Sequence, residues 1–143
     1  MSLHETYDPE NIFAKIIKGE IPSAKVYEDD RHLAFMDAFP QSEGHTLVIA
    51  KDVSSVNLLD MPSDRLGELI VTTQKVADAL VKALTPDGFR IVQFNGAPAG
   101  QSVYHLHFHI IPVWEGKALG QHGEGMADAG ALQALAEKIS AQL

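Results

Sequence analysis

Cysteine is absent from the 143 residues, which excludes disulfides and any metal site built on thiolates. Folding must then rest on a buried core, an arrangement that suits the cytosol. No apolar run approaches the roughly 18 residues that a membrane span requires. The opening MSLHETYDPE has neither the basic nor the apolar region of a secretory signal. Positive charge is scarce: eleven Lys and Arg against nineteen Asp and Glu give a formal charge of −8. That balance argues against a nucleic-acid polymer as partner, because such polymers select basic faces. A small anionic ligand in a local pocket stays compatible with it. The expectation is a soluble, cytoplasmic protein of one domain, residues 1–143, with no membrane association.

Patterning divides the chain into short elements. Asp8-Pro9-Glu10 has the residues of a helix start, followed by the apolar stripe Ile12, Phe13, Ile16 and Ile17 and a stop at Gly19. Lys25–Glu28 and His32–Asp37 read as strands around a polar turn, and His45–Ala50 as a third strand. From Ser63 to Leu84, the residues Leu66, Leu69, Ile70, Thr73, Ala77, Leu80 and Leu84 recur at helical steps. Thr85-Pro86-Asp87-Gly88 ends that helix, and Phe89–Asn95 forms a fourth strand. A glycine-spaced stretch, 116–130, reads as a mobile loop or lid. Leu132, Leu135, Ala136, Ile139 and Leu143 mark a short terminal helix. Strands in adjacent pairs with one long helix between them predict an α+β fold with a mostly antiparallel sheet.

Histidine is where the composition concentrates. Seven are present, and three of them fall within SVYHLHFHIIP (102–112) as His105, His107 and His109. On a strand, alternate residues share a face, so the imidazoles line one side while Leu106, Phe108 and Ile110 turn to the long helix. Three readings follow. The row is a half-buried polar face, or part of a metal site, or a catalytic nucleophile with its helpers. Neighbouring imidazoles ~6.6 Å apart can share a zinc ion, but the outer pair, ~13 Å apart, cannot, so a metal would need a distant ligand such as His45. Neutral imidazole is also a competent nucleophile near pH 7 and approaches phosphate without charge repulsion.

His105-Leu106-His107-Phe108-His109-Ile110-Ile111, with Gly100-Gln101-Ser102 before it, Pro112 after it and Gly44-His45 upstream, resembles the histidine-triad (HIT) family. Residues 11–51 are similar to the N-terminal half of its HINT-like branch. The likeness spans about residues 8–114, leaving 115–143 as a loop and a C-terminal helix. It implies a five-stranded antiparallel sheet continued across a homodimer. It also implies a nucleotidyl hydrolase or transferase acting on a purine nucleoside 5′-phosphoryl group, a phosphoramidase first, with a dinucleoside polyphosphate hydrolase or a nucleotide-binding scaffold with residual hydrolysis as the alternatives. By position, His107 would attack the α-phosphorus and carry AMP. The backbone carbonyl of His105 would hold its Nδ1–H, and His109 would contact the phosphate. His45 and the His105 ring would support them. Gly100, Gln101 and Ser102 would donate to the phosphate oxygens, and Asp37 would accept from the ribose. Ala38, Phe39 and Phe35 would wall the base, and Asn95 would join the nucleotide site.

The chain also departs from the family pattern. Zinc-binding relatives carry Cys-x-x-Cys where Asn11-Ile12-Phe13-Ala14 stands here. Neither Asn11 nor Ala14 offers a thiolate, so no structural zinc and no required cofactor are expected. An amide common before Asn-Gly is replaced by Phe94.

Overall fold

The computed structural model describes residues 3–120 and 125–143. The elements among them are α1 (Ile12–Ile17), β1 (Lys25–Glu28), β2 (His32–Met36), β3 (Thr46–Ala50), α2 (Ser63–Leu84), β4 (Gly88–Val92), β5 (His107–Val113) and α3 (Ala129–Ser140). All strand pairs are antiparallel, and the five strands lie in the order β1-β2-β3-β5-β4. This is the α+β architecture expected from the sequence. Among the described residues no helix is long and apolar enough to cross a membrane.

Strand alternation sorts the side chains between two cores. Ala34, Met36, Val48, Ala50, Phe108 and Ile110 join Leu69, Val76, Ala77 and Leu80 of α2 and Leu132, Ala136 and Ile139 of α3. Leu33, Phe35, Leu47 and Ile49 turn the other way, onto Phe13 and Ile16 of α1. Full burial of an aliphatic such as Leu80 or Ile110 contributes about 1.5–3 kcal/mol. His107 pairs with Ile49 and His109 with Leu47 across the β3–β5 ladder, so both imidazoles lie on the α1 face.

Several expectations are corrected. α1 begins at Ile12, with Asn11 rather than Asp8 as its cap: Asn11 Oδ1 accepts from Ala14 N at 2.9 Å. Asp8 closes a preceding turn, taking Glu10 N. The bounds of α2 are those read from the sequence, but its buried stripe includes Thr72, Val76 and Ala79 while Ile70 is exposed. α3 explains the shift, because it packs beside α2 and covers a flank that one sheet alone would leave open. β2 stops at Met36 and β3 starts at Thr46.

β4 ends at Val92, and just beyond it the side-chain amides of Gln93 and Asn95 bond to each other. β5 begins at His107, not before His105, since the Leu106 N–H donates to Ser55 O outside the sheet. Leu143 lies beyond α3 and is exposed.

Part of the expected loop at 116–130, residues 121–124, lies outside the described residues. Its flanks are fastened to the turn after β2: Gly120 N donates to Gln41 O at 2.8 Å, and Ala127 N to Ala38 O at 2.9 Å. That turn delivers His45 through Gly44, whose φ of +96° suits glycine. A Cβ there would also collide with the Leu84 side chain.

Candidate active site

Four histidines are buried around the start of β5: His45, His105, His107 and His109. With a ring in its neutral form, these hydrogen bonds fix which nitrogen carries the proton, because backbone N–H groups only donate and carbonyls only accept. Gln41 N donates to His45 Nδ1 at 3.0 Å, so the His45 proton sits on Nε2. That N–H donates to His109 Nδ1 at 2.9 Å, with Asp37 Oδ2 3.4 Å away. His109 therefore carries its proton on Nε2. His107 has the opposite form: Nδ1–H donates to His105 O at 2.7 Å, which leaves the lone pair on Nε2. The two rings stand with centroids 4.9 Å apart. One offers a lone pair and its neighbour a proton.

The His105 ring turns away from them. Its Nε2–H donates to Ala50 O at 3.0 Å, and its Nδ1 accepts from the Tyr7 hydroxyl at 2.7 Å. Burial lowers its pKa by desolvating the charged form, opposed in part by the Ala50 carbonyl. His105 is thus neutral at pH 7.

His107 and His109 open into a cavity of about 830 Å³. Phe13 and Ile16 of α1, Phe35 and Leu47 of the sheet, and Asp37, Ala38 and Phe39 after β2 line it, with Ser102 and Val103 at its rim. Met126, Ala127 and Leu132 close the far side, which places the C-terminal region against the cavity. Asp37 Oδ1 accepts from Phe39 N at 2.8 Å. The structure therefore gathers His107, His109, Ser102, Asp37, Ala38, Phe35 and Phe39 around one space. His45 stands behind His109, and His105 stands behind His107.

Three residues assigned to the site by resemblance, Asn95, Gly100 and Gln101, are not among those lining this cavity. Asn95 Oδ1 accepts from Leu58 N and from the Gln93 amide, and the residue does not line the cavity. The Gln101 side chain is committed to holding its own loop: Oε1 accepts from Gly96 N, and Nε2 donates to Val56 O and Val103 O. Gly100, at φ +113°, lets the Phe94 ring approach to 3.2 Å of where a Cβ would stand. That ring meets His109 edge-on at 5.4 Å.

Phe94 reads in the sequence only as the residue replacing a family amide, and its contact with His109 is not foreseen there; nor is that of Phe13, edge-on to His107 at 4.9 Å. Along the chain neither shows which histidine it will meet. Tyr7 was also missed, since no local pattern links it to a histidine 98 positions away.

Two metal arrangements can be weighed against these donors. Asp37, His45 and His109 bring ligand atoms within 4.8 Å of one another, although only one member of the triad takes part. In neutral His45 the Gln41 N–H occupies Nδ1 and Nε2 carries the proton, so the ring presents a donor where a metal needs a lone pair. A structural zinc at the N-terminal half does not fit either. Asn11 is spent as a helix cap and as a donor to Asp8 O, and Ala14 has no ligand atom.

Residues 18–116 match the model of the HIT domain. An uncharacterized HIT-like protein of Methanocaldococcus jannaschii is 50% identical over 105 residues, 73% of this chain and 80% of its own. Adenosine 5′-monophosphoramidase of Saccharomyces cerevisiae is 41% identical over 118 residues, 82% of this chain and 72% of its own. The crystal structure of a HIT-like protein from Bartonella henselae, described as involved in cell-cycle regulation and holding an unknown ligand, superposes with a TM-score of 0.91. It is 50% identical and covers 97% of this chain and 100% of its own.

Proposed function

The chain belongs to the histidine-triad family of nucleotide hydrolases and transferases, and from that membership we propose that it cleaves a purine nucleoside 5′-monophosphoryl group from an amine. One observation carries the reading: the adjacent imidazoles of His107 and His109 hold opposite tautomers at the wall of a mostly apolar cavity. Nε2 of His107 attacks the α-phosphorus while the phosphorus–nitrogen bond breaks, and the departing amine takes a proton from solvent. Water then attacks phosphorus, the bond to Nε2 breaks, and AMP and a proton are released. During the first step the His107 ring becomes cationic. Its Nδ1–H bond to the His105 carbonyl strengthens as charge develops, which favours the transition state over the ground state. The Nε2–H of His109 donates to a phosphoryl oxygen.

A carboxylate has about four acceptor positions, so ribose hydroxyls can donate to Asp37 alongside its protein partners. Phe13, Ile16, Phe35 and Leu47 give the base apolar walls. The similarity to an adenosine 5′-monophosphoramidase supports the amine as leaving group. No metal takes part in this scheme. The active form is proposed to be a homodimer, because β4 is an edge strand that leaves Phe89 and Ile91 exposed, a surface that invites pairing with a second copy.

A substrate panel of AMP–amine, diadenosine polyphosphate and sugar–nucleotide tests the reading. AMP–amine is expected to turn over fastest, with a chelator leaving the rate unchanged. His107→Ala is expected to lose at least about 10³-fold in kcat while nucleotide affinity stays within a few-fold. Faster cleavage of the polyphosphate would reassign the leaving group. Affinity without turnover in the unmodified protein would make it a nucleotide-binding protein.

A further inference from the structure

We propose that Tyr7 is a positioning residue for His107, acting through His105; the idea rests on the reading of His107 as nucleophile. The β5 ladder begins only at His107, so the sheet does not hold the backbone of His105. Yet the carbonyl of His105 is the group that accepts the His107 Nδ1–H. Side-chain contacts anchor His105 instead. Ala50 O takes its Nε2–H, and the Tyr7 hydroxyl donates to its Nδ1.

The two anchors act together. With Nε2–H committed to a carbonyl, Nδ1 of the neutral ring is an acceptor, and a hydroxyl is a suitable donor to it. Because the ring is buried at 2% exposure, loss of that donor leaves an acceptor without solvent, a cost the structure relieves by moving the ring. The following peptide is tied by Leu106 N to Ser55 O, so the movement falls on His105 and its carbonyl. The segment that carries Tyr7 is also fastened at its start: the Leu3 carbonyl accepts from Asn57 Nδ2 at 2.9 Å. The N-terminal segment is thus fastened at Leu3 and against His105, and the Tyr7 hydroxyl sets the geometry two residues before the nucleophile.

The test pairs spectroscopy with kinetics on the full chain. Nitrogen-15 imidazole spectra of the unmodified protein are expected to show the Nε2–H form for His105 and the Nδ1–H form for His107. Tyr7→Phe keeps the ring and removes the hydroxyl. It is expected to mix the tautomers of His107 and to lower kcat about tenfold with KM within twofold. Spectra are recorded without substrate, so they judge the proposal even if the nucleotidyl chemistry proves wrong. An Nδ1–H form of His105 in the unmodified protein overturns it without any variant. So does a Tyr7→Phe protein whose His107 spectrum is unchanged, whatever its melting temperature.

Discussion

His45 Nε2 lies 2.9 Å from His109 Nδ1, and Gln41 N lies 3.0 Å from the other nitrogen of His45. The tautomer of His109 is therefore dictated by a backbone amide two hydrogen bonds away in the network, through a ring that does not line the cavity. This is a second-layer arrangement of the kind that holds an imidazole in its working form.

His45→Leu removes the donor to His109 and frees that ring to take its proton on Nδ1. The Nε2–H directed at phosphate is then lost in part of the population. kcat is expected to fall about 10- to 100-fold, with KM changed less than about threefold, in steady-state assays with AMP–amine. An equal change in both constants would mean that His45 serves binding instead.

His105 makes stability depend on pH with a definite sign. Its ordinary pKa is about 6.5, and burial holds it lower in the folded protein. Above about pH 6.5 both states are neutral and its contribution is fully present. As pH falls further the unfolded chain binds a proton that the folded chain resists, so stability declines until the folded pKa is passed. Urea unfolding is expected to show lower stability at pH 5 than at pH 7.5. His105→Phe should reduce that difference.

The β4 edge supplies a third prediction. Phe89 and Ile91 are 46% and 41% exposed on an edge strand, a place where a second copy can pair. Light scattering is expected to give the mass of two chains, and Phe89→Asp with Ile91→Asp the mass of one. A single-chain mass for the unmodified protein would remove the dimer from the account.

How much of this was legible in the sequence depends on how local each cause is. The limits of α2, Ser63–Leu84, could be read directly, because 22 residues of helical spacing end at a Thr-Pro-Asp-Gly break. The shared face of His107 and His109 followed from alternation alone. The start of α1 was misplaced because Asp8 and Asn11 are both good capping residues, and only the turn between them decides which one caps. The face of Ile70 was misread because α3, 60 residues on, determines what α2 buries.

Within the site, the resemblance placed His107 and Asp37 near the cavity but directed the Gln101 amide toward phosphate. Its partners, Gly96, Val56 and Val103, show why it serves the loop, and no spacing rule reveals such a set. The same holds for Tyr7, Phe94 and the Met126–Leu132 wall, which reach the site only by folding.

The central claim is the bond between His107 Nε2 and phosphorus. Rapid quenching of the protein with AMP–amine, followed by mass analysis of the chain, tests it most directly. The account predicts one AMP attached at His107, forming at least as fast as the steady-state turnover and absent in His107→Ala. Substrate consumed at the same rate with no adduct at any time point would contradict it.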